Sequence, residues 1–174
     1  MKFAHFSHIW AKPGMTPHQR YEELWRELAL CDELGFDYGF CVEHHFRPDE
    51  SWSSSPSLYA IGAAARTKRM RFGPMGYIVP LYHPLRLAEE IAVVDQMMGG
   101  RLELGLVPGI NPDYFRPFGL DLGSVNRQRW SSSSICAPLS VRRSRSNSTV
   151  RIFIRPGRPS SRFNLCSGHT HRYG

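Results

Sequence analysis

Over its last 44 residues this 174-residue chain has no aspartate, no glutamate and no lysine, while eight arginines and eleven serines crowd the same stretch. That bias is foreign to a packed domain and takes the tail out of any fold argument. Cysteine is also scarce: Cys31, Cys41, Cys136 and Cys166 form no C-x-x-C pair and no dense spacing. A disulfide framework and a zinc ribbon are therefore not expected, and a reducing compartment is. Nowhere do about 18 apolar residues run together, so no membrane-spanning helix is predicted. The stretch from Met1 to Trp10 has no apolar core long enough for a secretory signal, and the expectation is a cytoplasmic protein.

Residues 1–130 lack net charge. They hold all 15 acidic residues and 14 of the 22 basic ones, so the formal +7 of the chain comes from the tail. Residues 1–130 read as a globular unit, and residues 131–174 as a Ser/Arg-rich tail, disordered or derived from a frameshift. A basic tail raises nucleic acid as a partner, but no nucleic-acid motif accompanies it, and that reading stays a lesser alternative.

The globular part alternates. Lys2 to Ile9, with Phe3, Phe6 and Ile9, predicts a short strand. Thr16-Pro17 opens a helix carrying Tyr21, Leu24, Trp25, Leu28, Cys31 and Leu34 at helical spacing, and Gly35 stops it. The apolar run 36–42 predicts a second strand. Ser55-Pro56 opens a second helix, and 70–79 reads as a third strand interrupted by Gly73-Pro74-Met75-Gly76. His83-Pro84 opens a third helix with Leu87, Ala88, Ile91, Val94 and Met98 on one face. Gly99-Gly100 ends it before a fourth strand at 102–106. Such alternation calls for a parallel sheet with right-handed crossovers, either open and doubly wound or closed as a (β/α)₈ barrel. In both, chemistry gathers at the C-terminal ends of the strands.

Glu43-His44-His45-Phe46 lies at such an end. Adjacent residues there point in opposite directions, so one histidine can face a cavity while the other packs. Histidine titrates near neutrality and suits acid–base work, while Glu43 can fix a tautomer. Two adjacent histidines cannot easily reach one metal ion, and no third ligand stands at zinc spacing. The plain alternative is a polar loop whose histidines satisfy backbone groups. The loop Gly105-Leu106-Val107-Pro108-Gly109 offers either a cradle for a ligand phosphate, with Val107 and Gly109 as contacts, or a tight turn. Gly73-Pro74-Met75-Gly76 is either a bulge or a place where a flat ligand nears the backbone. Trp25 and Trp52 read as packing residues, and Trp10 as a candidate for a cavity mouth.

Lys2-Phe3, Gly35-Phe36-Asp37, Glu43-His44-His45-Phe46, His83-Pro84-Leu85-Arg86, Asp95-Gln96-Met97, Gly100-Arg101-Leu102 and Asp113-Tyr114-Phe115-Arg116-Pro117-Phe118-Gly119 stand in order along residues 1–130. Together these blocks resemble the N-terminal part of the bacterial luciferase-like flavin monooxygenases, the alkanal-oxidising type in particular. The resemblance implies a (β/α)₈ TIM barrel, truncated to about its first four βα units. It implies reduced FMN as cofactor, with a deazaflavin as the alternative, and O₂ and a small organic substrate as reactants. A flavin reductase would supply the reduced flavin, and a homo-oligomer is a further expected partner. His44 would be the acid–base residue, Glu43 and His45 would support it at the cofactor, and Met75-Gly76 would lie against the isoalloxazine, where relatives can hold a non-proline cis peptide. Relatives typically carry arginine where this chain has Pro108, so its hold on a flavin phosphate is expected to be weak. The alternative function is a non-catalytic half-barrel that acts as an interaction or dimerisation module.

Overall fold

Thr16 opens helix α1 (Pro17–Glu33) with a reciprocal cap. The Gln19 backbone N–H donates to its hydroxyl at 3.2 Å, and its own N–H donates to the Gln19 side chain at 2.8 Å. Pro17 at the first turn forfeits no hydrogen bond, and Gly35, at φ +90°, carries the chain out of the helix. Strand β1 (Ala4–Ser7) precedes this helix and β2 (Tyr38–Cys41) follows it. The alternation continues through α2 (Pro56–Ala64), β3 (Arg71–Pro74), β4 (Tyr77–Ile78), α3 (Pro84–Met97) and β5 (Leu106–Val107). All three helices begin on a proline, as predicted. This computed structural model describes residues 1–10, 12–121, 139–143 and 150–154.

β1 pairs in parallel with β2, β2 with β3, and β4 with β5. One bridge, Phe72 to Leu102, joins β3 to the run leading into β5. Among the described β1 to β5 the order follows the chain without reversal. The third strand breaks at Met75-Gly76 as expected, and the Met75 N–H donates to the Cys41 carbonyl at 2.8 Å. The fourth strand differs from its expected span: Leu102 makes a lone bridge and pairing resumes only at Leu106. The crowding explains this. A Cβ on Gly73 would stand 1.8 Å from the Glu103 carbonyl oxygen, and one on Gly105 2.7 Å from that of Pro74, so the backbones cross too closely for a regular ladder.

Among the described residues the main core lies between the sheet and the helices, and a smaller cluster gathers Ile78, Tyr114 and Phe115. Leu24 and Leu28 of α1, Tyr59, Ala60 and Ala63 of α2, and Leu87, Ala88 and Ile91 of α3 close over Cys41, Phe72 and Tyr77. The five positions predicted as one face of the third helix, Leu87 to Met98, are all buried. Three expected core positions, Leu34, Phe3 and Phe6, are not. Leu34 lies beyond the end of α1 and is exposed, and Phe3 precedes β1 and is half exposed. On the sheet face away from the helices Tyr38 and Phe40 stack at 5.8 Å and 10°, with Phe6 beside them 50% exposed.

Asp32 fastens the end of α1 to the turn before β3. Its carboxylate accepts the N–H groups of Lys68, Arg69 and Met70 at 2.8, 3.1 and 2.8 Å. Strands β6 (Leu139–Arg143) and β7 (Val150–Ile154) pair antiparallel. The rest of the segment predicted to be a disordered or frameshift-derived tail lies outside the described residues. Among the described residues no helix is long and apolar enough to cross a membrane.

Candidate active site

The end of β2 delivers Val42 to His45 to the C-terminal edge of the sheet, and a serine-rich loop pins it to the end of β1 through Ser51, Trp52 and Ser53. The Ser53 hydroxyl donates to the Val42 carbonyl, and the His44 N–H to the Ser53 carbonyl, each at 2.8 Å. The Trp52 N–H donates to the Ile9 carbonyl at 3.1 Å, and the Ser51 hydroxyl donates to the His8 carbonyl. Two non-glycine residues here have positive φ, Ile9 at 54° and Phe46 at 58°. For β-branched Ile9, fully buried, that conformation is strained, and it is held by these contacts.

Glu43 is 4% exposed, and both of its oxygens are engaged. Oε1 accepts from the Tyr82 hydroxyl at 2.7 Å and from His45 Nε2 at 2.8 Å, and Oε2 accepts from the Ile78 N–H at 2.7 Å. A carboxylate only accepts, so His45 carries its proton on Nε2. Glu43 thus fixes a tautomer, as expected, but that of His45. It ties the end of β2 to β4 and to the 3₁₀ turn Val79–Leu81 that precedes Tyr82.

His44 faces the other way, as alternation at a strand end predicts. Its ring stands 5.4 Å from His8 at 80° and 5.4 Å from Tyr114 at 43°. Nδ1 lies 3.4 Å from Glu50 Oε1, within ion-pair reach but without hydrogen-bond alignment, so this buried nitrogen has no hydrogen-bond partner. Burial pushes the His44 pKa down, Glu50 opposes that, and His8 and His45 add to it. The ring is therefore neutral at neutral pH, the form that accepts a proton.

A cleft of about 180 Å³ opens beside His44, lined by Val42, Glu43, Met75, Gly76, Ile78 and Val107, and closed by the 109–114 loop. Of the residues expected at the site, His44, Glu43, Met75, Gly76, Val107 and Gly109 meet here, while His45 turns away to Glu43 and Phe118. Trp10 stacks on His8 at 4.3 Å and is not part of the cleft lining. Trp25 packs beside Tyr59, and Trp52 against the core, as packing residues. The glycines prove to be packing devices. A Cβ on Gly76 would stand 2.3 Å from Val107 Cγ1, and Gly109, at φ +75°, is pressed between Ile78 and Phe115. Pro108 beside it is exposed. Among the described residues no peptide bond is cis.

His8, Glu50, Tyr82 and Tyr114 escaped the sequence reading. Each lies on a different segment and meets His44 or Glu43 only through the fold. No group of three or more His, Cys, Asp or Glu able to hold a metal occurs among the described residues. Among the described residues no lysine or arginine lines the cleft.

An uncharacterized protein of Sinorhizobium fredii is 36% identical over 135 residues, 78% of this chain and 39% of that one. The alkanal monooxygenase alpha chain of Aliivibrio fischeri is 32% identical over 122 residues, 70% of this chain and 34% of its own length. A monooxygenase of Streptomyces bottropensis superposes with a TM-score of 0.68 at 32% identity, over 73% of this chain and 39% of that structure. The oxygenating constituent of 3,6-diketocamphane monooxygenase of Pseudomonas putida, solved in complex with FMN, superposes with a TM-score of 0.69 over 89% of this chain and 44% of its own. At 23% identity that last likeness speaks for the fold alone. The chain spans between a third and two-fifths of the two curated relatives. Residues 1–129 match the luciferase-like monooxygenase family, and the chain belongs to it.

Proposed function

We propose that residues 1–121 supply the acid–base side of a flavin-dependent monooxygenase site at the strand ends of a (β/α)₈ barrel, acting with reduced flavin and O₂ on a small organic substrate. The observation that carries this reading is His44, neutral and half-sheltered on one wall of the cleft, with its partners held by three separate segments. Sequential parallel order and helices packed into one core favour a barrel over a doubly wound sheet, which reverses at its switch point.

The residues present fit one part of a flavin and not another. Met75, Ile78, Val107 and Ile110 give the cleft an apolar wall suited to the edge of a flat ring. At about 180 Å³ it is smaller than the few hundred Å³ typical of a ligand site, and no cation lines it for a phosphate. A bound reduced flavin would supply the electrons for activating O₂. His44 would accept or return a proton at Nε2, since Nδ1 is turned to Glu50. Glu43 would hold the wall in place through Ile78 and Tyr82. Phe46, 58% exposed, and Met75, 57% exposed, would keep water from the reacting face once substrate covers them.

The half-exposed Phe6 and the Tyr38–Phe40 stack on the sheet's open face favour a second reading, a half-barrel that associates through that face. Titration of the purified chain with FMN and with reduced FMN, followed by flavin absorbance and fluorescence, separates the two. Weak saturable binding is expected, kept in His44→Ala, which loses oxygen uptake with aldehydes. Pro108→Arg should tighten binding about tenfold by adding a guanidinium. No binding by a folded sample would refute the enzymatic reading and leave concentration-dependent association to be measured.

A further inference from the structure

We propose that His8 is a positioning residue for His44, its clamped ring disfavouring the imidazolium form of its neighbour. The inference rests on the reading of His44 as the acid–base group. The His8 ring stands edge-on to His44 at 5.4 Å and is clamped from both sides, stacked on Trp10 at 4.3 Å and 13°, and edge-on to Phe6 at 5.2 Å. Its backbone is fixed as well: Ser51 donates to its carbonyl, and the next residue, Ile9, is held at positive φ by the Ser7 hydroxyl and the Trp52 N–H. Strain confined to the residue after His8 and to the residue after His45 marks both edges of the same cluster.

Each ring leaves its Nδ1 buried and without a hydrogen-bond partner. An imidazole so placed in a structural role would ordinarily bond a carbonyl or a carboxylate through that atom. Here the two unpartnered nitrogens belong to neighbouring rings. The clamped His8 ring holds its place against His44 across this short gap, and its nearness disfavours charge on His44. The charged and titratable groups around His44 are Glu50 and Arg47 on its own loop, His45 and Glu43 beside it, His8 from the end of β1 and Tyr114 from the loop beyond β5. Of these, Glu50 alone faces it as a carboxylate not already bound to its neighbours' backbone, and acts opposite to His8. The chemical use is plain: a positioning histidine that disfavours imidazolium at His44 keeps a base available as the solution becomes mildly acidic.

The test is ring-nitrogen NMR on the full chain labelled at histidine, with His44 assigned by its loss in His44→Gln. In the wild type His44 is expected to titrate below the ordinary histidine midpoint. His8→Phe keeps the ring contacts and removes the charge; the His44 midpoint should then rise by about half a pH unit or more. Glu50→Gln should move the same midpoint down. Opposite signs from two variants cannot come from a general loosening of the fold, which would drive both toward an ordinary histidine. His8→Asn repeats the first arm if the phenylalanine variant does not fold. An unmoved His44 midpoint in a folded His8 variant would overturn the proposal. The measurement uses no flavin, so failure of flavin binding would sink the enzymatic reading and leave this coupling standing.

Discussion

Replacing Glu43 tests whether the site is built from inside the protein or by its ligand. Three donors converge on this carboxylate, the Ile78 N–H, the Tyr82 hydroxyl and His45 Nε2, all within 2.8 Å. Glu43→Ala strands all three in a region where the glutamate side chain is 0% exposed. A stranded buried donor costs about 1–3 kcal/mol, and with partial rewetting of the gap the total comes to about 4 kcal/mol. That is a large share of the 5–15 kcal/mol typical of a domain. Glu43→Gln should cost far less, about 1–2 kcal/mol, because the amide can meet every partner after one rearrangement. Its oxygen takes the Ile78 N–H, while its NH₂ faces the Tyr82 hydroxyl, which rotates to accept, and His45, which moves its proton to Nδ1. Denaturant unfolding at neutral pH reads the stabilities, with unchanged slopes required for the comparison, and ring-nitrogen NMR reads the His45 tautomer. A loss below about 1 kcal/mol in Glu43→Ala, or equal losses in the two variants, would show that the network does not hold the wall.

Two further outcomes follow from the scaffold. The Asp32 carboxylate, buried yet holding three N–H groups, has its pKa pushed up by burial and down further by those bonds, for a net lowering. A carboxyl lowered in the folded state stabilises above its unfolded pKa near 4 and loses that contribution as the pH falls through the folded value. Asp32→Ala should therefore cost about 2–3 kcal/mol at pH 7 and progressively less below pH 4, and a gap that does not narrow in acid would count against the N–H clamp. Gly109→Ala puts a side chain at φ +75° and within 2.8 Å of both Ile78 and Phe115. A loss of about 2–4 kcal/mol and a shifted Tyr114 are expected, and thermal unfolding indistinguishable from wild type would contradict the packing role given to this glycine.

The alternation of elements was legible because local signals agree with the global fold. Each helix begins on a proline, and the first and third end at glycines in the left-handed region, Gly35 and Gly99, so those boundaries depend on adjacent residues alone. His44 was legible for a different reason: a strand end fixes that one of two neighbouring histidines points to the cleft. Which of them Glu43 would serve was not legible, since the side chain that reaches back to residue 43 is decided by the turn at Phe46 and its positive φ. His8, Glu50 and Tyr114 stayed hidden because nothing local distinguishes them. His8 reads as an ordinary residue at a strand end until the 51–53 loop folds over it, and Tyr114 meets His44 across 70 positions of sequence. The fourth strand was placed too early because periodicity carries no information on how closely two backbones will cross, and here Gly73 lets Glu103 displace the ladder.

Most of the hydrogen bonds among the described residues that position His44 and its neighbours arise within residues 7–82, the exception being the Tyr114 hydroxyl, which donates to Glu50 at 3.4 Å. Ser51 and Ser53 join the ends of β1 and β2, Glu43 joins β2 to β4, and Tyr21 donates to the Trp52 carbonyl at 2.6 Å, anchoring the serine loop to α1. None of these contacts draws on a strand beyond β5. The charge a flavin phosphate requires is a separate matter, because among the described residues the cleft lining offers no cation, and Pro108 stands where the resemblance leads one to expect an arginine. Acid–base geometry and cofactor affinity are therefore supplied by different parts of the fold and can be lost independently. A chain holding these residues can keep a well-built proton-handling wall while gripping its flavin poorly, which is why the tautomer of His45 and the titration of His44 are sharper probes of the site than turnover.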